Sequence, residues 1–249
     1  MRILLRVSYD GSGYYGWQRQ NNFITVQQRL EEALSELLKQ DITVRGASRT
    51  DTGVHSLGQR AVFRAETTIP LEKLPYAVNA FLPDDIVVTE AEEVDEEFHP
   101  QYSVTDKTYT YKILNDKFRI PMLNRYTDFV HEKLDIDAMN SACKYFLGEH
   151  DFKAFCASGS TAKTTVRTIY DMSVKKDGNI VSITVNGNGF LYNMIRIIVG
   201  TLVLVGKGKL EPRDIEYIIK SKDRTKAGKT MAPNGLTLME VNYGKTEKE

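Results

Sequence analysis

The sequence predicts an α+β protein built as two α/β halves, and three observations lead there. Apolar residues alternate with a period of two in some stretches and recur at helical spacing in others, the two patterns taking turns along the chain. The order strand, helix, strand, strand, helix, strand occupies residues 1–105, and a similar order resumes after them. At 249 residues with 41% apolar content, the chain has material for a sizeable core. The halves are therefore drawn at 1–105 and 106–249, each ferredoxin-like (RRM-like) with a largely antiparallel sheet. No short repeat or low-complexity linker separates them.

Each element has its own reason. Residues 2–9 alternate as a half-buried strand, and Asp10-Gly11-Ser12-Gly13 turns the chain. Tyr14-Tyr15-Gly16-Trp17-Gln18-Arg19-Gln20 suits either stacking on bases or lidding a core. Thr25-Val26-Gln27-Gln28 reads as a capping box, and Val26, Leu30, Ala33, Leu34, Leu37 and Leu38 share one helical face up to about Lys39. Residues 42–45 then form a short strand and 59–65 a longer one. A helix over 70–81 ends before Pro83, and 85–94 is again a strand. Beyond the bridging residues 98–103, Tyr109 and Tyr111 fall on one face of a strand over 108–114, with Thr108, Thr110 and Lys112 on the other. A helix over 135–147 is closed by Gly148. Residues 166–174 and 180–185 make a hairpin around Lys175-Lys176-Asp177-Gly178-Asn179. A buried helix over 191–205, a shorter one opened by Pro212 and a strand over 236–242 complete the chain.

Charge and cysteines narrow the setting. Lys+Arg and Asp+Glu both number 33, so any polyanion-binding surface must come from segregated charge. Glu90 to Glu97 is an acidic run, whereas Lys207, Lys209, Arg213, Lys220, Lys222, Arg224, Lys226 and Lys229 crowd the C-terminal quarter, although each run alone also suits a solvated face. Cys143 and Cys156 are too few for a disulfide framework or a zinc knuckle, which suits a reducing compartment. No signal h-region opens the chain, and the strongest apolar stretch, 190–205, contains Arg196 and is shorter than the roughly 20 residues of a bilayer span. The expectation is a soluble cytoplasmic protein. His55, His99, His131 and His150 have no metal-ligand spacing; His150-Asp151 reads as a structural turn and His55 as support for the loop before it.

The chemistry is concentrated in Gly46-Ala47-Ser48-Arg49-Thr50-Asp51-Thr52-Gly53-Val54-His55-Ser56-Leu57-Gly58-Gln59. Asp51 stands between two glycines, with a cation two residues upstream and hydroxyls on either side. An isolated Asp-Thr-Gly is more often a turn than a catalytic group. The longer string resembles the signature of the TruA family of tRNA pseudouridine synthases. So do 98–103, 107–111, 148–152, 189–200 and 233–238, in the family's order and over essentially the whole chain.

The resemblance implies isomerisation of uridine to pseudouridine in the anticodon stem-loop of tRNA, without cofactor or required metal. It implies a homodimer whose tRNA spans both subunits, and a central active-site cleft flanked by the two halves. Asp51 is then the catalytic aspartate, acting on the ribose as nucleophile at C1′ or as base at C2′. Tyr109 packs on the target base and helps the C5 proton leave. Arg196, placed by the pattern in the middle of an apolar helix, is the cation that keeps Asp51 ionised where desolvation would neutralise it. Arg49 inserts where the nucleotide is extruded, and Leu236 lies under the flipped base. Phe98, His99, Pro100, Gln101 and Tyr102, with Gly159, Ser160, Thr161, Ala162 and Lys163, fall where the family touches tRNA backbone. Gln101 stands where the family commonly has arginine, so one phosphate contact is either missing or supplied elsewhere.

Two other readings fit part of the sequence. Asp51-Thr52-Gly53 also spells the aspartic-protease triplet, but that chemistry needs two carboxylates sharing a proton and the chain has one such triplet. A non-catalytic RNA-binding protein with Tyr109 and Tyr111 as stacking platforms leaves Asp51 without a purpose.

Overall fold

A computed structural model gives the fold, and the structure describes residues 1–244. They form two compact units, 1–105 with 237–244, and 106–236. Residues 237–244, counted with the second half by the sequence reading, pair within the first unit through β10 (Leu236–Tyr243).

The first unit contains β1 (Arg2–Tyr9), α1 (Val26–Leu38), β2 (Arg45–Gly46), β3 (His55–Arg64), α2 (Leu74–Asn79) and β4 (Ile86–Glu93). β1 lies between β4 and β3, antiparallel to both, and β2 pairs antiparallel with β3 at Val62 and Ala61. The order fourth-first-third-second is that of interlocked split βαβ units, as the ferredoxin-like reading requires. Ile3, Leu5, Val7 and Tyr9 on β1, Phe63 on β3, and Ile86 and Val88 on β4 join Val26, Leu30, Ala33 and Leu34 of α1 in one core. β3 is long enough that β10 (Leu236–Tyr243) pairs parallel with its opening residues, Thr237 opposite His55 and Leu238 opposite Ser56.

Three departures from the sequence pattern have local causes. Residues 42–44 are not a strand, because α1 supplies their partners: Val44 N–H donates to Glu31 Oε1 and Gln27 Nε2 donates to Val44 O, both at 3.0 Å. α2 starts at Leu74 rather than Pro70, since Pro75 has no N–H to continue a helix begun at Pro70. Thr25 Oγ1 accepts from Gln28 N–H at 3.3 Å, but the Gln28 side chain turns to Glu32, so only half of the expected capping box forms.

The second unit contains β5 (Val104–Asn115), β6 (Asp128–Val130), α3 (Ile136–Cys143), β7 (Gly148–Asp151), β8 (Val166–Asp177), β9 (Ile180–Gly187), α4 (Met194–Gly206) and α5 (Asp214–Ser221). β9 lies between β5 and β8, antiparallel to both, so β5, β8 and β9 repeat the first-third-second order of β1, β2 and β3. β7 extends this sheet beside β8, and β6 runs parallel to β5. Val181, Ile183 and Val185 alternate inward on β9. On β8 the inward set is Ile169, Met172 and Val174, because a bulge between Ile169 and Asp171 shifts the phase by one residue. No helix among the described residues is long and apolar enough to cross a membrane.

Candidate active site

In the first unit the chain around Asp51 is held almost atom by atom. Upstream, Ala47 N–H donates to Arg60 O at 2.7 Å, and the fully buried Gln59 amide brackets Ser48, accepting from its N–H and donating to its carbonyl. The Tyr9 hydroxyl lies 2.8 Å from Thr50 Oγ1. Thr50 O accepts from Trp17 N–H at 3.1 Å, and a Cβ on Gly16, whose φ is +84°, would lie 2.5 Å from the same oxygen. Downstream, Val54 N–H closes a turn on Asp51 O, while Gly53 at φ +78° donates to Tyr14 O. His55 Nδ1 accepts from Gly11 N–H at 3.0 Å and stands 3.1 Å from Asp10 Oδ1. The half-buried Asp51 thus sits on a backbone with little freedom to shift.

Arg49, two residues earlier, is exposed and makes no hydrogen bond or ion pair with any described residue. The aromatic loop before α1 divides between its two readings: Tyr14 and Trp17 are buried supports, whereas Tyr15 is exposed and packs on Phe23. Gly16 and Trp17 are the supports that the sequence reading did not tie to Asp51. Glycine beside a lone tryptophan was the available signal.

Residues 98–103 form a second rigid feature of this unit. His99 Nδ1 accepts from the N–H groups of Gln101 and Tyr102, and the His99 ring stacks on Tyr102 with centroids 4.2 Å apart. Phe98 packs edge-on against Tyr243, whose hydroxyl donates to Pro100 O at 3.0 Å. Pro100 is buried, leaving Gln101 and Tyr102 exposed.

In the second unit Tyr109 is buried on β5, edge to face with Phe190 at 5.3 Å. Arg196 is not in the middle of its helix, as the sequence pattern placed it, but in the first turn of α4. The helix starts late because Asn193 takes up φ +59° just before it. Arg196 Nε donates to Met231 O at 2.7 Å and Nη1 to Asn193 Oδ1 at 2.5 Å. A guanidinium beside the partial positive charge of a helix N-terminus makes a strong anion site. Leu236 is buried after the turn Pro233–Gly235, where a Cβ on Gly235 would lie 2.8 Å from the Tyr111 ring. Burial pushes the Tyr111 phenol far above its ordinary pKa and the neighbouring Asp128 carboxylate adds to the push, so it stays a proton donor. The Gly159–Lys163 segment is a largely exposed loop with Gly159 at φ +83°.

The expected residues therefore divide. Asp51, Arg49 and 98–102 belong to the first unit, and Tyr109, Arg196, Leu236 and 159–163 to the second. Among the described residues no three His, Cys, Asp or Glu side chains group as metal ligands.

Two α+β units of like topology, one presenting a carboxylate on a braced loop, define a protein whose candidate chemistry rests on a single acid. A family model described as tRNA pseudouridine synthase matches residues 6–103 and 142–244. The chain is 49% identical over 241 residues to tRNA pseudouridine synthase A of Thermoanaerobacter sp. (strain X514), covering 97% of this chain and 99% of that protein. It is 48% identical to tRNA pseudouridine synthase A of Caldicellulosiruptor bescii and 47% identical to tRNA pseudouridine synthase A 2 of Clostridium perfringens, with the same coverage. A solved structure titled "Crystal Structure of a Cbf5-Nop10-Gar1 Complex" matches at 12% identity and a TM-score of 0.36, over 97% of this chain and 59% of that one. The chain belongs to the tRNA pseudouridine synthase family.

Proposed function

We propose that this chain isomerises uridine to pseudouridine in the anticodon stem-loop of tRNA, in the cytoplasm and as a homodimer. Family membership supports the reaction and the substrate. The observation that carries the reading is the braced loop of Asp51, whose backbone and side-chain hydrogen bonds hold one acid in a fixed position while Arg49 beside it remains exposed and unpaired among the described residues. Rigid placement of one reacting group is what this reaction asks of a protein.

Asp51 acts on the ribose, either by attack at C1′ or by removing the C2′ proton. The bond from C1′ to N1 breaks, the uracil turns, and a bond from C1′ to C5 forms as the ester to Asp51 breaks or, on the other route, as Asp51 returns the proton to C2′. N1 gains a proton and C5 loses one, so the conversion needs no redox partner. Tyr109 packs on the base and assists departure of the C5 proton. Arg196 serves as the cation that keeps Asp51 ionised, and its place at a helix N-terminus suits that task. Arg49 fills the space left by the extruded nucleotide, Leu236 lies beneath the base, and 98–102 with 159–163 meet the backbone.

Tritium release from C5-labelled uridine in tRNA tests the reading. Asp51→Asn is expected to bind tRNA and release nothing above background. Release at the unmodified protein's rate would remove Asp51 from the mechanism. Light scattering on active protein is expected to give twice the mass of one chain.

A further inference from the structure

We propose that Asp128 is a positioning residue for Arg196, acting through the single peptide unit that joins Met231 to Ala232. The inference rests on the reading of Arg196 as the cation serving Asp51. Arg196 Nε–H donates to Met231 O at 2.7 Å. The other end of the same amide, Ala232 N–H, donates to Asp128 Oδ2 at 3.1 Å. One peptide thus has a guanidinium on its oxygen and a carboxylate on its hydrogen. Both polarise it in the same sense: the anion at N–H leaves more negative charge on the oxygen, which becomes a stronger acceptor for the cation.

The surroundings hold this relay in place. The buried Tyr111 hydroxyl lies 3.0 Å from Asp128 Oδ2 and 2.7 Å from Ala232 O, so its one proton serves either acceptor. Asp128 stands on β6, whose short pairing with Ile113 to Asn115 ties it to β5, the strand that carries Tyr109. On the far side, Met231 N–H donates to Arg196 O, and Gly228 N–H donates to Thr201 Oγ1. Gly200 and Gly228 cross so closely that a Cβ on Gly200 would lie 2.0 Å from Lys229 O, which keeps 228–232 from sliding along α4.

A charged acceptor matters here because Arg196 stands in the first turn of α4, where the helix's own field opposes a cation. The Asp128 carboxylate, by polarising the amide, offsets part of that opposition and, with Asn193 Oδ1 on Nη1, sets the direction of the guanidinium. Asparagine at 128 would satisfy the Ala232 N–H without supplying the charge.

Hydrogen exchange at Arg196 Nε–H, followed in protein carrying 15N-arginine and assigned by loss of the signal in Arg196→Lys, reads the relay directly. Asp128→Asn is expected to speed that exchange about tenfold, the loss of one charge-assisted bond. It should also slow single-turnover pseudouridine formation about tenfold, with tRNA affinity changed less than about twofold. In an Arg196→Lys background the same substitution should change the rate by less than about twofold, because its route is gone. Ala232→Pro deletes the N–H while keeping a φ of −61° that the ring accepts, and should reproduce both changes with Asp128 intact. If one variant fails to fold, the other carries the test. Unchanged exchange in folded variant protein overturns the proposal, as does equal slowing with and without Arg196. Faster exchange in a protein whose unsubstituted form makes no pseudouridine leaves the relay standing and removes the enzymatic reading instead.

Discussion

Arg49 and Gly16 both serve Asp51 in this account, but by different physics, and the difference is measurable. Arg49 is exposed and bonds to no described residue, so Arg49→Ala should leave unfolding free energy within about 0.5 kcal/mol. Its proposed partner is the substrate, and the rate on tRNA should fall about tenfold or more, which corresponds to roughly 1.4 kcal/mol of lost transition-state stabilisation. Gly16 is buried against the backbone of Thr50 and Asp51. A methyl group there meets Thr50 O at 2.5 Å from a backbone at φ +84°. Left-handed strain of about 1–2 kcal/mol then adds to the displacement of the residue preceding Asp51. Gly16→Ala should therefore lose both stability and activity, the latter by ~10²-fold if the acid moves by about 1 Å. Denaturant unfolding and tritium release on the two variants separate a group that acts on RNA from one that acts on the loop. Loss of stability in Arg49→Ala would contradict its assignment.

At the scale of elements, the pattern was readable wherever one face of a strand or helix meets a core and its partners are of the same kind. β1, β9 and α1 have the expected alternation or stripe because their apolar sides fill one layer. Residues 42–44 misled because the Gln27 and Glu31 side chains, inside a helix, stand in for a neighbouring strand. The start of α4 was misplaced because nothing local announces that Asn193 adopts a left-handed φ, and with it Arg196 moved to the first turn. The Asp51 motif was legible because its chemistry is contiguous, whereas the bond from Ala232 to Asp128 spans 104 positions. β5 has a consequence of its own. Lys107, half-buried on that strand, has its ammonium held down to about 8 from 10.5, by burial first and then by the Arg167 guanidinium. Below pH 8 both folded and unfolded chains keep this proton, and the folded state bears the full cost of the charge. Between pH 8 and 10.5 the folded chain has released a proton that the unfolded chain retains, so this group's contribution to stability rises with pH and then levels off. Lys107→Met should be more stable than the parent at pH 7, with the gap narrowing toward pH 10.5. Urea midpoints measured in parallel cancel the other titrating groups, and a gap independent of pH would mean that Lys107 is not buried as a cation.

Across the whole molecule, the charge segregation visible in the sequence is largely undone by pairing. Glu90 and Glu92 meet Arg60, Glu90 also meets Arg6, and Glu96 pairs with Arg64. In the C-terminal quarter Lys207 is taken by Glu132, Lys220 by Glu216 and Lys222 by Asp151. Local carboxylates, with Glu211 on Arg213, thus neutralise half of the basic run in the C-terminal quarter. Among the described residues, Arg45 and Arg49, which precede Asp51 in the chain, keep exposed side chains without an ion pair or hydrogen bond, as do Lys209 and Lys229 of the basic run. Affinity for a polyanion comes from cations that release counterions from it, and a lysine already matched by a carboxylate contributes less to that release. The dependence of log K on log salt for tRNA binding should therefore flatten by about one for each of Arg45→Ala and Arg49→Ala. Lys220→Ala and Lys222→Ala should leave the slope nearly unchanged. Filter binding at several salt concentrations with these four variants decides the matter. A larger loss of slope from the two lysines would move the RNA-binding surface to the C-terminal quarter, despite its paired charges.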